Sequence, residues 1–185
     1  MPDTIYKIDY INFTNRVIKK LWPILFGIVV VTLILLSKPK FHWITFIIYI
    51  IGFVVWAIFL IFSTKRFVSE IEFNHQTISI SGYDFNTIWR ETYNLEDVNI
   101  KIRSVARGKG RYEYVLRFST PKTNYIINDL FNWNYFELIK IFTEFKNSKN
   151  EKIILDEKFM IDNMEKKAHG LSDLDILLNK EIEKD

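Results

Sequence analysis

The sequence predicts an α+β membrane protein: a two-helix transmembrane hairpin, then an antiparallel β-barrel or sheet, then one closing C-terminal helix. Three observations carry this. Positions 21–62 contain no acidic residue and only two basic ones, Lys38 and Lys40. The hydrophobic period switches to two from Phe67, and it returns to helical spacing at Tyr135. The chain has 185 residues, 49% hydrophobic and 25% charged, so its mean hydropathy of only +0.03 averages a membrane part and a soluble part. Its length excludes a large multidomain enzyme. Lack of cysteine excludes disulfides, thiolate metal sites and a cysteine nucleophile.

Four regions follow: an N-terminal cytoplasmic segment (1–20), the hairpin (21–63), a cytoplasmic domain (64–149) and an acidic amphipathic helical tail (150–185). Net charge is +2 over 1–20, +2 over 21–64, +3 over 65–150 and −4 over 151–185, which sets the tail apart from a basic body.

The two spans, 21–37 and 41–62, are separated only by Lys38, Pro39 and Lys40. As helices they are about 25 and 33 Å long, against a hydrocarbon core of about 30 Å. A second apolar run follows the first at once with no small-residue cleavage site, so the segment reads as retained rather than as a signal peptide. Lys7, Arg16, Lys19 and Lys20 before the first span and Lys65 and Arg66 after the second place both termini in the cytoplasm. Trp22, Phe41 and Trp43 occupy interfacial positions. In the second span Phe46, Tyr49, Phe53 and Trp56 recur at i, i+3, i+7 and i+10 as one aromatic face. That face packs the hairpin, meets lipid, or docks another membrane subunit.

Strands are read at 67–73, 77–82, 87–93, 98–105, 112–119 and 123–128, divided by turn signals, as an antiparallel meander. Tyr135, Leu138, Ile139, Phe142 and Phe145 then mark an amphipathic helix with Asn132 or Asn134 as N-cap. The tail reads as two short helices divided by Gly170. Ser172 and Asp175 form a capping-box pattern before the stripe Leu174, Leu177, Leu178 and Ile182. An acidic helix is repelled by an anionic leaflet, so it docks on protein, either its own domain or another subunit, or it frays.

Strands closed by one helix and joined directly to a two-helix hairpin resemble the bacterial PH-like membrane proteins, specifically the YcxB-like group. The resemblance covers most of residues 4–148. It rests on Ile8-Asp9-Tyr10-Ile11-Asn12-Phe13 leading into Arg16, Lys19 and Lys20, on the adjacent spans, on Trp89 in the third strand, on Pro121 in the last turn and on the closing helix. It implies a PH-like barrel at the bacterial inner membrane that binds lipid headgroups or proteins, with no catalytic residues to carry over. Such a fold has seven strands where six are read here, so one is unread or residues 4–10 contribute it.

Lys101, Arg103, Arg107, Lys109 and Arg111 form the densest cluster of one sign in the chain. Strand parity returns the turn at 106–110 to the membrane side, where each Lys or Arg near the anionic leaflet is worth about 1 kcal/mol. Contact with lipid or phosphate, a solvated hairpin and an acidic protein partner remain the readings of this cluster. Nucleic acid is disfavoured, because Tyr112 and Tyr114 alternate onto the core face with Leu116 and Phe118. His42, His75 and His169 have no ligand spacing. Arg107-Gly108-Lys109-Gly110-Arg111 lacks the length and following helix of a phosphate-binding loop, and Glu70, Glu72, Glu96 and Asp97 read as solvated surface. The expectation is therefore a non-enzymatic protein with no cofactor or metal, presenting its domain to anionic lipid and a protein partner. An accessory subunit of a larger membrane complex is the alternative, and the family resemblance adds immunity against a membrane-active peptide.

Overall fold

A computed structural model describes residues 4–37, 43–106, 112–129 and 132–170. The chain divides into two compact units. One comprises 10–67 with 83–89; the other comprises 1–9, 68–82 and 90–185.

In the first unit, α1 (Phe13–Leu36) and α2 (Trp43–Thr64) are both long and apolar enough to cross a bilayer, and neither apolar window is buried. A soluble bundle would cover one face of each, so the core-helix reading does not apply. α1 starts well before position 21 because its first turn is capped from elsewhere: Asn86 Oδ1 accepts the Phe13 amide at 3.1 Å, and Asn12 Oδ1 accepts the Thr14 amide at 3.2 Å. At the end of α2, Ser63 Oγ donates to the Leu60 carbonyl (2.8 Å) and Thr64 Oγ1 to that of Ile61 (2.9 Å), so both hydroxyls bond back onto the last turn.

The strands are β1 (Thr4–Lys7), β2 (Arg66–Phe73), β3 (Thr77–Asp84), β4 (Thr87–Asn94), β5 (Asn99–Ala106), β6 (Tyr112–Ser119) and β7 (Asn124–Ile127). Residues 4–7 thus supply the seventh strand. β1 pairs antiparallel with β2, Thr4 opposite Phe73 and Lys7 opposite Glu70, and Lys7 Nζ lies 3.0 Å from Glu70. The strands form two sheets, β1-β2-β3-β4 and β5-β6-β7, rather than one meander. A 3-10 turn at Leu95–Asp97 carries the chain between them, drawn inward by burial of Leu95 and Val98. Among the described residues no ladder joins β4 to β5 or β7 to β1, so the expected barrel is not closed.

Within the second unit, α3 (Tyr135–Ser148) fills the space between sheet faces. Its cap is Asn134: Oδ1 accepts the Glu137 amide (2.8 Å) while Glu137 accepts the Asn134 amide (3.1 Å). The buried face is Leu138, Ile141, Phe142 and Phe145; Ile139, expected there, is only half-buried. The Phe145 ring meets Phe73 of β2 and Phe118 of β6, each at 6.5 Å. Trp133 is fully buried and donates to the Val68 carbonyl at 3.1 Å. Tyr93 of β4 and Tyr125 of β7 meet at 3.0 Å between their hydroxyls, and both donate to Glu91.

α4 (Leu155–Ala168) realises the first tail helix and packs back on α3, burying Met164 and Asn163. The near-buried Lys146 joins them, its Nζ 3.0 Å from Glu157 and 3.1 Å from Glu151. Burial pulls the Lys146 ammonium down, but the hydrogen bonds it donates to Glu157 and Glu151 outweigh this and hold the ammonium above its usual value. Burial likewise pushes Glu151 up, and Lys146 and Lys149 overcome this to hold it below the usual carboxylate value. The signs differ in consequence. A depressed carboxylate stabilises above pH 4.5 and loses that contribution as pH falls; a raised ammonium stabilises below pH 10.5 and loses it as pH rises. The expected profile is flat between those limits, with thermal midpoints falling on both sides, and Lys146→Met should blunt both falls. A variant with undiminished acid and alkaline falls would refute the assignment.

Candidate functional site

Alternation along β5 buries Ile100 and Ile102 and leaves Lys101 and Arg103 exposed on the opposite face. The ladder with β6 sets Lys101 directly opposite Arg117 and Arg103 opposite Val115. Arg117 lies fourteen positions beyond Arg103 and becomes a neighbour of the cluster only through strand register. Its Nε donates to Asn124 Oδ1 at 3.4 Å, which holds the guanidinium along the sheet. Asn99, Ser119 and Asn124 share one rung of this face, and Arg117 faces Ile126 on β7. The nearest carboxylate in the ladder, Glu113, stands opposite Val105. Like charges directly opposite one another repel, and the three cations share this face with the single carboxylate of Glu113. Arg107, Lys109 and Arg111 lie outside the described residues.

The other expected contacts divide in the same way. On α2, Phe46, Tyr49 and Phe53 are half-buried and Trp56 is 36% exposed, with Phe53 and Trp56 rings 6.4 Å apart. With Ile28 of α1 and Ile48, Tyr49, Phe53 and Trp56 line an apolar groove of about 320 Å³, open at Gly52 where a Cβ would meet nothing. The aromatic face thus borders a groove that Ile28 of α1 shares. Leu174, Leu177, Leu178 and Ile182 lie outside the described residues.

At the base of the helices is a feature that charge counting treated only as a topology signal. Arg16 is fully buried. Its Nη1 donates to the Ile11 carbonyl (3.1 Å) and its Nη2 to those of Lys65 (3.3 Å) and Phe85 (2.6 Å), between the rings of Phe13 and Phe67 at 5.6 and 5.0 Å. The two-residue turn of Phe85 and Asn86 serves α1 twice, since Asn86 also caps Phe13. Phe85 stands at φ 53°, a left-handed conformation that an aromatic residue adopts at a cost. Its contacts to Arg16 and to the Phe13 ring, 4.8 Å away, offset that strain. Nearby, Arg66 lies 4.2 Å over the Trp89 ring, and Lys20 Nζ reaches Ser63 Oγ at 3.5 Å.

A polar cleft of about 510 Å³ lies among His75, Gln76, Asn94, Glu96, Asp97 and Lys149. Its cation is already engaged, Lys149 Nζ donating to the Val98 carbonyl at 3.0 Å and lying 3.3 Å from Glu151. Among the described residues no group of three or more His, Asp or Glu is placed to hold a metal ion.

The arrangement defines a basic sheet surface in one unit and two helices of membrane-spanning length in the other. No family model, no curated protein and no solved structure matches this chain.

Proposed function

We propose that this chain is a non-enzymatic membrane protein whose two apolar helices anchor it and whose basic sheet face meets the anionic headgroups of the cytoplasmic leaflet. The observation that carries this is the direct pairing of Lys101 with Arg117, beside Arg103, on a face where Glu113, opposite Val105, is the one carboxylate of the β5–β6 ladder. Three cations against one carboxylate leave this surface net positive and complementary to an external negative one. At about 1 kcal/mol per cation, three such residues supply a few kcal/mol. In an anchored protein that energy orients the domain. The unburied helices and the basic residues flanking them support insertion with both termini cytoplasmic, and the likeness to PH-like proteins favours a headgroup-binding role.

The test uses the full chain in nanodiscs, with a fluorophore on Val105→Cys, which is unique because the sequence has no other cysteine. Headgroup-nitroxide lipid should quench it strongly in discs containing phosphatidylglycerol and weakly in neutral phosphatidylcholine, with quenching falling as salt rises. Lys101→Glu with Arg103→Glu and Arg117→Glu should lower the anionic-lipid response at least tenfold. Equal quenching in neutral discs, or an unchanged response in the triple variant, would remove the proposal.

A second reading, an accessory subunit held through the α2 aromatic face, is favoured by the open groove at Gly52. Gly52→Leu should then abolish co-purification of a membrane partner in mild detergent while leaving the thermal midpoint unchanged. A strictly monomeric protein that brings down nothing counts against it.

A further inference from the structure

We infer that the β3–β4 turn, from Asp84 to Ile88, lies in the interfacial layer of the bilayer beside the helix ends, with the Phe85 and Ile88 side chains in contact with lipid. This rests on reading α1 and α2 as membrane spans, and it adds a lipid contact that needs no charge.

The first argument is position, and every contact in it lies within the first unit. The stretches long and apolar enough to cross a bilayer run Phe13–Ile34 and Phe46–Thr64. The turn is tied to one end of each. Phe85 donates its amide to the carbonyl of Lys65, the residue directly after Thr64, at 2.8 Å. Asn86 accepts the amide of Phe13, where α1 begins, and the Phe85 carbonyl accepts from Arg16 three residues on. The polar layer outside the hydrocarbon core is about 5–8 Å deep on each side, so residues bonded to the last positions of a span stand within it.

Side-chain type agrees. Around the turn the first unit gathers Tyr10, Phe13, Tyr83, Phe85 and Trp89, with ring centroids 4.4 Å apart for Tyr10 and Tyr83. Lys65 lies over the Phe85 ring at 5.8 Å, as Arg66 does over that of Trp89. Aromatic rings beside cations, just outside an apolar span, are the composition of a membrane interface.

Exposure is the third argument. Phe85 is 42% and Ile88 72% exposed. Phe85 holds φ 53°, where glycine or asparagine is the ordinary choice. Its bonds to Arg16 and Lys65 use backbone atoms that any residue supplies, so they do not account for an aromatic side chain there. Phe13 and Lys65 cover part of the ring. Lipid at the span ends buries the remainder, which in water is left exposed at a strained position. Unlike the basic sheet face, this contact acts on a neutral bilayer and sets the depth of the helix ends.

The experiment places an environment-sensitive fluorophore on Ile88→Cys of the full chain in nanodiscs, the sequence having no other cysteine. Lipid with a nitroxide near the headgroup should quench it, and lipid with a nitroxide near the chain terminus should quench it less. The response should be equal in phosphatidylcholine and phosphatidylglycerol and insensitive to salt, because the contact is apolar. A second label on Val55→Cys, exposed in the middle of α2, should show the reverse order of quenching. If the Val55 label follows that order while neither lipid quenches the Ile88 label, the spans stand and the inference is overturned. If chain-terminus nitroxide leaves the Val55 label untouched, the spanning reading falls and the inference with it. Protection of the Ile88 label from aqueous iodide without lipid quenching also overturns it, since the occupant is then protein.

Phe85→Asn tests the ring itself. Asparagine adopts the left-handed conformation readily and keeps the carbonyl that Arg16 uses, so the turn is retained. Shallow quenching of the Ile88 label should fall about twofold or more as the turn loses its aromatic anchor. A lower thermal midpoint with undiminished quenching would mean that the ring serves Phe13 alone, and overturns the role given to it.

Discussion

Arg16→Met is expected to lower the thermal midpoint of the full chain by about 8–16 °C, because the substitution removes three hydrogen bonds that a fully buried guanidinium donates to the Ile11, Lys65 and Phe85 carbonyls. Hydrogen bonds to a charged group contribute about 1.5–3 kcal/mol each, so a loss of about 4 kcal/mol is a conservative sum. At this chain length each kcal/mol moves the midpoint by about 2–4 °C. Arg16→Lys should recover under half of the loss, since one ammonium on a flexible stem does not reproduce a planar fork spanning Ile11, Lys65 and Phe85. If Arg16→Met melted with the parent protein in detergent-solubilised scans, the guanidinium would not be the tie between helix start, helix end and strand turn that its contacts describe.

Phe145→Ala should cost about 3–5 kcal/mol. The ring is buried between Phe73 of one sheet and Phe118 of the other, and these lie on different strands that cannot both move in to fill the space. Hydrogen exchange of β2 and β6 should accelerate together, because one cavity borders both. Phe136→Ala on the same helix, at a position 42% exposed, should cost under about 1 kcal/mol. Comparable losses in the two variants would mean that α3 is held by its caps rather than by its inward face.

Much of the architecture was legible because its signals are local. Two long apolar runs, six strands between turn residues and a helix with its cap at Asn132 or Asn134 all follow from patterns shorter than 25 residues; each strand appears within a few positions of its reading, while α1 begins eight residues ahead of its apolar run. The seventh strand was legible only as an open alternative. TIYK alone is too short to declare itself, and it becomes a strand because β2 offers an edge. The split into two sheets was not legible, since burying Leu95 and Val98 depends on what surrounds them.

The candidate site shows the same division. Lys101 and Arg103 were found by charge density and alternate as expected. Arg117 was missed because it joins them through register. Arg16 was counted as one of several cytoplasmic charges, yet it is the buried one; its acceptors at Lys65 and Phe85 lie 49 and 69 positions away, and no local pattern marks a carbonyl as an acceptor.

By itself, then, the amino-acid order determined which segments are helix and strand, which of them are long and apolar enough for a bilayer, and where positive charge concentrates. These are properties of periodicity and composition over a few turns of chain. Tertiary structure decided that the strands form two sheets, that Arg117 stands opposite Lys101, and that a guanidinium fastens the helix bases to the Phe85–Asn86 turn. Each of these depends on contacts between residues remote in the chain, whose energies exist only once packing has excluded water from between them.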